Sequence, residues 1–401
     1  MRLGVFALKK VTRDAQNSDW RRRWDSVEFK HPIFAKTSCF GPGMEGTRPM
    51  KTLLLSITLA CAAIPGYAQE TRPSRNRAGY CTDGREMDRV VDLLKAQAPA
   101  PPADLPRPIA GISAHADYRD AGRTYPPLFA MISAPEVVIF GVTHRKTREK
   151  LGQPQDKLIF DSHADWEGPY GKIRVSPLRE YVEKRLDPKY RMVSDDAHRM
   201  DHSIEAVLPF LQHARKDARI TPILVTAMSF ETMDAVSEQL ADILAAYMKE
   251  NRLTPGKDVF LLISADANHY GKDFNNLHFG EGEAAHRKGT AHDRQLIAKY
   301  LEGPISTDKL KGLTTQLWGE NFRDYGRVVW CGQYSIPFGL LTVNHLTETL
   351  SPEKRLTGRL LLYSDSLTDS ASPARDTGLG LSDISSLEHW VGYFSACYYV
   401  P

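Results

Sequence analysis

The stretch Val259-Phe260-Leu261-Leu262-Ile263 constrains this chain more than any other. An unbroken apolar run of that length suits a strand covered on both faces, as in a parallel sheet. It stops in Ser264, Asp266, Asn268 and His269, so the strand delivers a polar cluster at its carboxyl end. In open α/β sheets ligands bind outside the carboxyl ends of the strands.

Two earlier stretches repeat the pattern. Ile109 to Ser113 leads into His115 and Asp117, and Val137 to Gly141 leads into Thr143 and His144. Further strands are predicted over Lys157 to Phe160 and Ile220 to Thr226. Helices are predicted over Leu178 to Leu186, His202 to Lys216 and Glu231 to Lys249; the last carries Met233, Val236, Leu240, Ile243, Leu244 and Tyr247 on one face. Beyond them, Ala284 to Leu301, Thr307 to Trp318 and Gln333 to Leu350 read as helices. Leu356 to Tyr363 and Val391 to Tyr399 read as late strands paired antiparallel at an edge, and Asp365 to Leu387 as a loop. Strand–helix alternation predicts an α/β fold: one domain with a mostly parallel central sheet flanked by helices.

The N-terminal part divides differently. Residues 1–49 show no sustained period and read as an untranslated or disordered extension. Met50-Lys51, the apolar run from Leu53 to Ala63 and the closing Gly66-Tyr67-Ala68 have the form of a secretory signal peptide over residues 50–68. The expectation is a periplasmic or secreted protein whose mature chain starts at Gln69. Residues 69–108 hold a leading helix from Arg85 to Gln97 and a Pro-rich link, and residues 109–401 form the main domain. Cys81, Cys331 and Cys397 remain after cleavage; the number is odd, so at least one thiol is unpaired in the monomer. The simplest reading makes all three small buried hydrophobes. Net charge is +3 without a long basic run in the body, which argues against nucleic acid as a partner. The apolar segment is too short to span a bilayer, so an integral membrane protein is not expected.

Chemistry concentrates at the strand ends. His115 and His144 each follow an apolar strand directly, and neutral imidazole is the commonest nitrogen ligand for zinc, iron or copper. In Asp201-His202-Ser203-Ile204-Glu205, Asp201 suits the N-cap of the following helix, and His202 and Glu205 share a helical face. His269 can ligate a metal or move a proton, beside Asp266 and the neutral oxygen donor Asn268. The remaining histidines, His198 among them, read as surface or packing residues.

Together these motifs resemble the Memo family. The matching stretches, in order, are Ala78-Gly79-Tyr80, His115-Ala116-Asp117-Tyr118, Gly141-Val142-Thr143-His144, His202-Ser203-Ile204-Glu205 with Leu208-Pro209-Phe210, and Ser264 to Gly271. Cys331-Gly332 and Val391-Gly392-Tyr393 complete the set. The resemblance covers residues 75 to 400. It implies a fold similar to class III extradiol dioxygenases, with His115 and His144 as metal-binding histidines. It also places Asn268 where human-type members carry a cysteine, and Asp117 where a glycine is usual.

The expected function is that of an exported metal-binding protein holding Fe(II) or Cu, with zinc as a third candidate, at His115, His144 and Asn268. His202, Glu205, Asp266 and His269 are the expected catalytic shell in a dioxygenase-like oxidation of a small molecule. Two rivals stand beside it. One is a non-catalytic binding protein with a degenerate site, favoured by Asn268. The other is a zinc hydrolase with Glu205 as base.

Overall fold

The computed structural model describes residues 70–401 apart from 76–77, 369–373, 375–376 and 383. The extension and the signal segment lie outside the described residues. The described strands are β1 (Thr71–Arg72), β2 (Ala110–Ser113), β3 (Glu136–Val142), β4 (Leu158–Phe160), β5 (Asp165–Gly168), β6 (Gly171–Val175) and β7 (Arg191–Val193). They continue with β8 (Arg219–Val225), β9 (Val259–Ser264), β10 (His269–Gly271), β11 (Gly303–Pro304), β12 (Thr357–Asp365) and β13 (His389–Tyr399). They join in one mixed sheet of order β1-β5-β6-β8-β3-β9-β2-β13-β12-β11, with β4, β7 and β10 pairing off that path.

The centre, β8-β3-β9-β2, is parallel throughout. Every residue of β2, β3 and β9 is buried, as an apolar run covered on both faces requires. Alternation divides the run between two cores. Val138, Phe140, Leu261 and Ile263 face one core with the helices Phe230–Asn251 and Ser335–Leu350. Val137, Ile139, Phe260 and Leu262 face the other, with the helices Gly84–Lys95 and Leu208–Ala214. The leading helix buries Met87, Val90, Val91 and Leu94 in this second core, and Asp83 caps it by accepting from the Arg85 and Glu86 amides.

The α/β fold with one sheet between helical layers is therefore present, and β12 and β13 pair antiparallel near one edge. Two local readings change. The predicted helix from His202 begins only at Leu208, after a turn and a short 3-10 segment, Glu205–Val207. Asp201 is thus no N-cap of that helix; it ends the preceding helix, Asp195–Met200. The antiparallel hairpin β5–β6 has no clear apolar alternation, and the sequence pattern does not predict it.

Candidate metal centre

His115, His144 and the Ser264–His269 segment follow three adjacent parallel strands, ordered β3-β9-β2. The pairing of Ser113 with Ser264 puts their carboxyl ends level. The turn carrying Asp201 to Glu205 closes over β3 because Gly141 leaves room for it. A Cβ at Gly141 would lie 2.6 Å from Ile204 Cγ1 and 2.7 Å from Ser203 Oγ. Three imidazoles consequently meet: His202 stacks on His144 with centroids 4.3 Å apart, and His115 stands edge-on to both, at 5.4 and 5.1 Å.

The hydrogen bonds around the two strand-end histidines determine which nitrogen faces inward. Ser264 Oγ donates to the Ser203 carbonyl at 2.6 Å, so its own proton is committed. The 3.0 Å contact between Ser264 Oγ and His115 Nδ1 must then be donated by the imidazole. His144 Nδ1 lies 3.0 and 3.1 Å from the two oxygens of Asp201, which accept. Both rings thereby carry Nδ1–H and turn an Nε2 lone pair towards the centre. This is the arrangement in which an outer partner orients a metal-binding histidine. Burial works against the Asp201 charge, but the His144 contacts outweigh it and hold the carboxyl well below its usual range. Asp201 also accepts from the His144 amide, Thr147 Oγ1 and Ser203, so the turn is fixed through one carboxylate.

A third candidate donor is Cys331, in the turn before helix Ser335–Leu350. Its Sγ lies 3.4 Å from His115 Nε2 and accepts the Asp266 amide at 3.1 Å. Donor atoms of His115, His144 and Cys331 all lie within 4.8 Å of one another; so do those of His144, Asp201 and His202, and those of Asp266, His269 and Cys331. Burial and the nearby Asp266 carboxylate push the Cys331 thiol well above its ordinary value, so a thiolate here needs a cation beside it. Asp266 Oδ1 accepts the His115 amide at 2.9 Å, while Oδ2 sits 3.5 Å from His115 Nε2 and 4.0 Å from His269 Nε2. The buried His269 Nε2 has no hydrogen-bond partner. Two oriented imidazoles, a thiol and an orphaned nitrogen fit a transition metal better than they fit an empty protein core.

Not every expected residue joins this group. Asn268 is fully buried, but its Oδ1 accepts from Asn276 Nδ2 at 2.8 Å and the Val329 amide at 3.0 Å. Both acceptor positions of that oxygen are used, so it has none left for a metal, whereas Cys331 Sγ lies beside His115 Nε2. Glu205 turns away as well, accepting from Arg72 Nη2 at 2.7 Å, Ser74 Oγ at 3.1 Å and the Arg75 amide at 2.8 Å. Asp117 is occupied by the amide and hydroxyl of Ser382. Cys331, Ser264 and Asp201 acquire roles that spacing alone did not assign. The available signal for Cys331 was its place in Cys331-Gly332 directly after the apolar Val328-Val329-Trp330. Tyr80 and Tyr125 also matter: their hydroxyls donate to the His115 and Ala116 carbonyls, each at 2.8 Å, and hold that turn from behind. Among the described residues, Cys81, Cys331 and Cys397 are free and buried.

Residues 74–369 match the family model described as Memo-like protein. The chain belongs to the Memo family. It is 33% identical over 193 residues to a MEMO1 family protein of Aquifex aeolicus, a match covering 48% of this chain and 64% of that protein. It is 31% identical over 203 residues to one from Pyrococcus abyssi, with the same two shares. The aligned part thus falls short of two-thirds of either Memo relative.

Proposed function

We propose that this Memo protein holds one redox-active metal ion, copper or iron, through His115 Nε2, His144 Nε2 and Cys331 Sγ. The observation that carries the reading is the pair of committed Nδ1–H groups of His115 and His144, donated to Ser264 Oγ and the Asp201 carboxylate, which leaves both Nε2 lone pairs facing one thiol. A soft thiolate beside two imidazoles suits copper well and zinc also, while a neutral histidine pair accommodates iron. When bound, such an ion supplies one-electron chemistry and polarises an oxygen ligand. The chain contributes the rest. Asp201 and Ser264 orient the two rings, and Asp266 fixes the backbone of His115. His202 and His269 stand beside the donor set where they can hold or move a proton of a bound small molecule. The zinc-hydrolase reading loses its base, because the Glu205 carboxylate is occupied by Arg72, Ser74 and Arg75.

Metal analysis of mature protein purified without oxygen tests the reading. The expected result is about one metal ion per chain, lost in His115→Ala, His144→Ala and Cys331→Ala at comparable thermal stability. Equal metal content in all four proteins removes it. The signal-like segment Met50 to Ala68 supports export. N-terminal sequencing of envelope protein is expected to read from Gln69, and intact Met1 on cytoplasmic protein overturns that. Among the described residues, no helix is long and apolar enough to cross a membrane.

A further inference from the structure

Behind the centre, on helix Gly282–Leu296, Asp293 is completely buried. Its carboxylate accepts from three neutral donors on three separate segments. Trp330 Nε1 donates to Oδ1 at 2.9 Å, Tyr363 Oη to Oδ2 at 2.8 Å, and the Asn268 amide to Oδ2 at 3.3 Å. Burial pushes this carboxyl up to about 7 against the pull of those donors. Polar groups buried this deeply lower stability unless the structure satisfies them, and here the satisfied network has a particular position.

Two of the three donors flank residues of the centre. Trp330 precedes Cys331, while Asn268 precedes His269 and follows Asp266 by two. The same segments meet in the backbone. Asn268 and Trp330 form an antiparallel bridge, and the His269 amide donates to the Val329 carbonyl at 2.8 Å. On the third side, the Gly392 amide donates to the Asn268 carbonyl and the Ala267 amide to the Gly392 carbonyl, each at 2.9 Å. A Cβ on Gly392 would stand 2.7 Å from Asp293 Oδ2 and 2.8 Å from Tyr363 Oη, so glycine is what lets β13 pass the carboxylate.

We infer that Asp293 is a positioning residue: it ties the Cys331 segment to the Asp266–His269 segment and so sets the distance of the thiol from the imidazoles. The inference rests on the metal centre proposed above. An amide in place of the carboxylate has one acceptor oxygen. Tyr363 can turn its hydroxyl to accept from the new amide nitrogen. The Trp330 indole and the Asn268 amide can only donate, so one of the two links is broken.

Cobalt(II) titration of the full mature chain without oxygen tests this, read as a dissociation constant and as the thiolate-to-cobalt charge-transfer band. Asp293→Asn and Trp330→Phe are each expected to weaken binding about tenfold, the lower end for a lost outer-shell partner, and to weaken the charge-transfer band. Tyr363→Phe removes a donor that leads to neither segment, and is expected to lower thermal stability while keeping the wild-type constant and band. Wild-type values in folded Asp293→Asn and Trp330→Phe overturn the inference. So does an equal loss in Tyr363→Phe, which would make the network merely structural. If Asp293→Asn does not fold, the comparison of Trp330→Phe with Tyr363→Phe decides alone. If wild-type protein takes up no cobalt, the metal reading itself fails and this inference falls with it; wild-type uptake with unaltered variants sinks the inference only.

Discussion

Ser264 Oγ stands between His115 Nδ1, at 3.0 Å, and the Ser203 carbonyl, at 2.6 Å, and this one hydroxyl decides the tautomer of the histidine. Because the serine proton goes to the carbonyl, the ring must donate, and the lone pair on Nε2 faces Cys331. Ser264→Ala removes the acceptor while filling nearly the same space. The ring then loses its fixed tautomer and orientation, and metal affinity is expected to fall roughly 10- to 100-fold, the usual consequence of losing such a partner. Competitive titration against a chelator of known affinity checks it. An unchanged dissociation constant would show that His115 is oriented by its other neighbours.

Glu205 and Arg72 make the opposite kind of pair. Their 2.7 Å contact is almost wholly shielded from solvent, and Arg72 also lies over the Trp166 ring at 4.1 Å. Glu205→Gln leaves a buried guanidinium without its counter-charge. The expected loss is about 3–5 kcal/mol of folding stability, with metal affinity per folded molecule unchanged. Denaturant unfolding and metal titration on the same samples separate the two. Should affinity fall while stability holds, Glu205 serves the centre after all.

The strand ends were legible because long buried runs stop abruptly. Val259 to Ile263 predicts both the central strand and the place where polar residues collect. His115 and His144 follow from the same logic. What could not be read is what depends on tertiary approach. Asp201 has the sequence context of a cap, but the turn from His202 to Ile204 folds against β3, and Asp201 gives its carboxylate to His144 instead. Cys331 lies 65 residues beyond Asp266, whose amide it accepts, and the chain between them makes a long helical excursion. Nothing local says that it returns to the same sheet edge. Asn268 sits where an inward-facing donor is expected, yet the meeting with Val329 and Asn276 claims its oxygen.

His198 carries a pH dependence of stability. It is fully buried, with Nε2 hydrogen-bonded to the Ile159 carbonyl at 3.0 Å and Nδ1 without a partner. Burial holds its imidazole below the ordinary 6.5, outweighing the opposing pull of Asp161 and Asp201. The unfolded chain therefore takes up the proton first as pH falls. The stabilisation is complete above 6.5 and is lost as pH drops towards the lower folded value. In His198→Gln this contribution is absent, so the stability gap between wild type and variant is expected to narrow from about pH 7.5 to about pH 5.5. Thermal unfolding of metal-free proteins at the two pH values measures it; a gap independent of pH contradicts the shift.

Asn268→Cys distinguishes the two candidate third donors. If the family position of Asn268 supplied a ligand, a thiol there would tighten metal binding. The structure argues otherwise. The Asn268 oxygen satisfies the Asn276 side-chain amide and the Val329 amide, and a cysteine sulfur is too weak and too short an acceptor to replace it. Leaving buried donors unpaired costs roughly 1–3 kcal/mol each. The segment that loses them is the one aligned with Trp330 and Cys331 through the Asn268–Trp330 bridge. The expected outcome is a protein of lower melting temperature that binds copper or cobalt no more tightly than wild type. Cys331→Ser, by contrast, is expected to lose the thiolate charge-transfer band entirely while keeping its melting temperature. Tighter binding with a second thiolate signature in Asn268→Cys would return Asn268 to the centre and displace Cys331 as the sole sulfur donor.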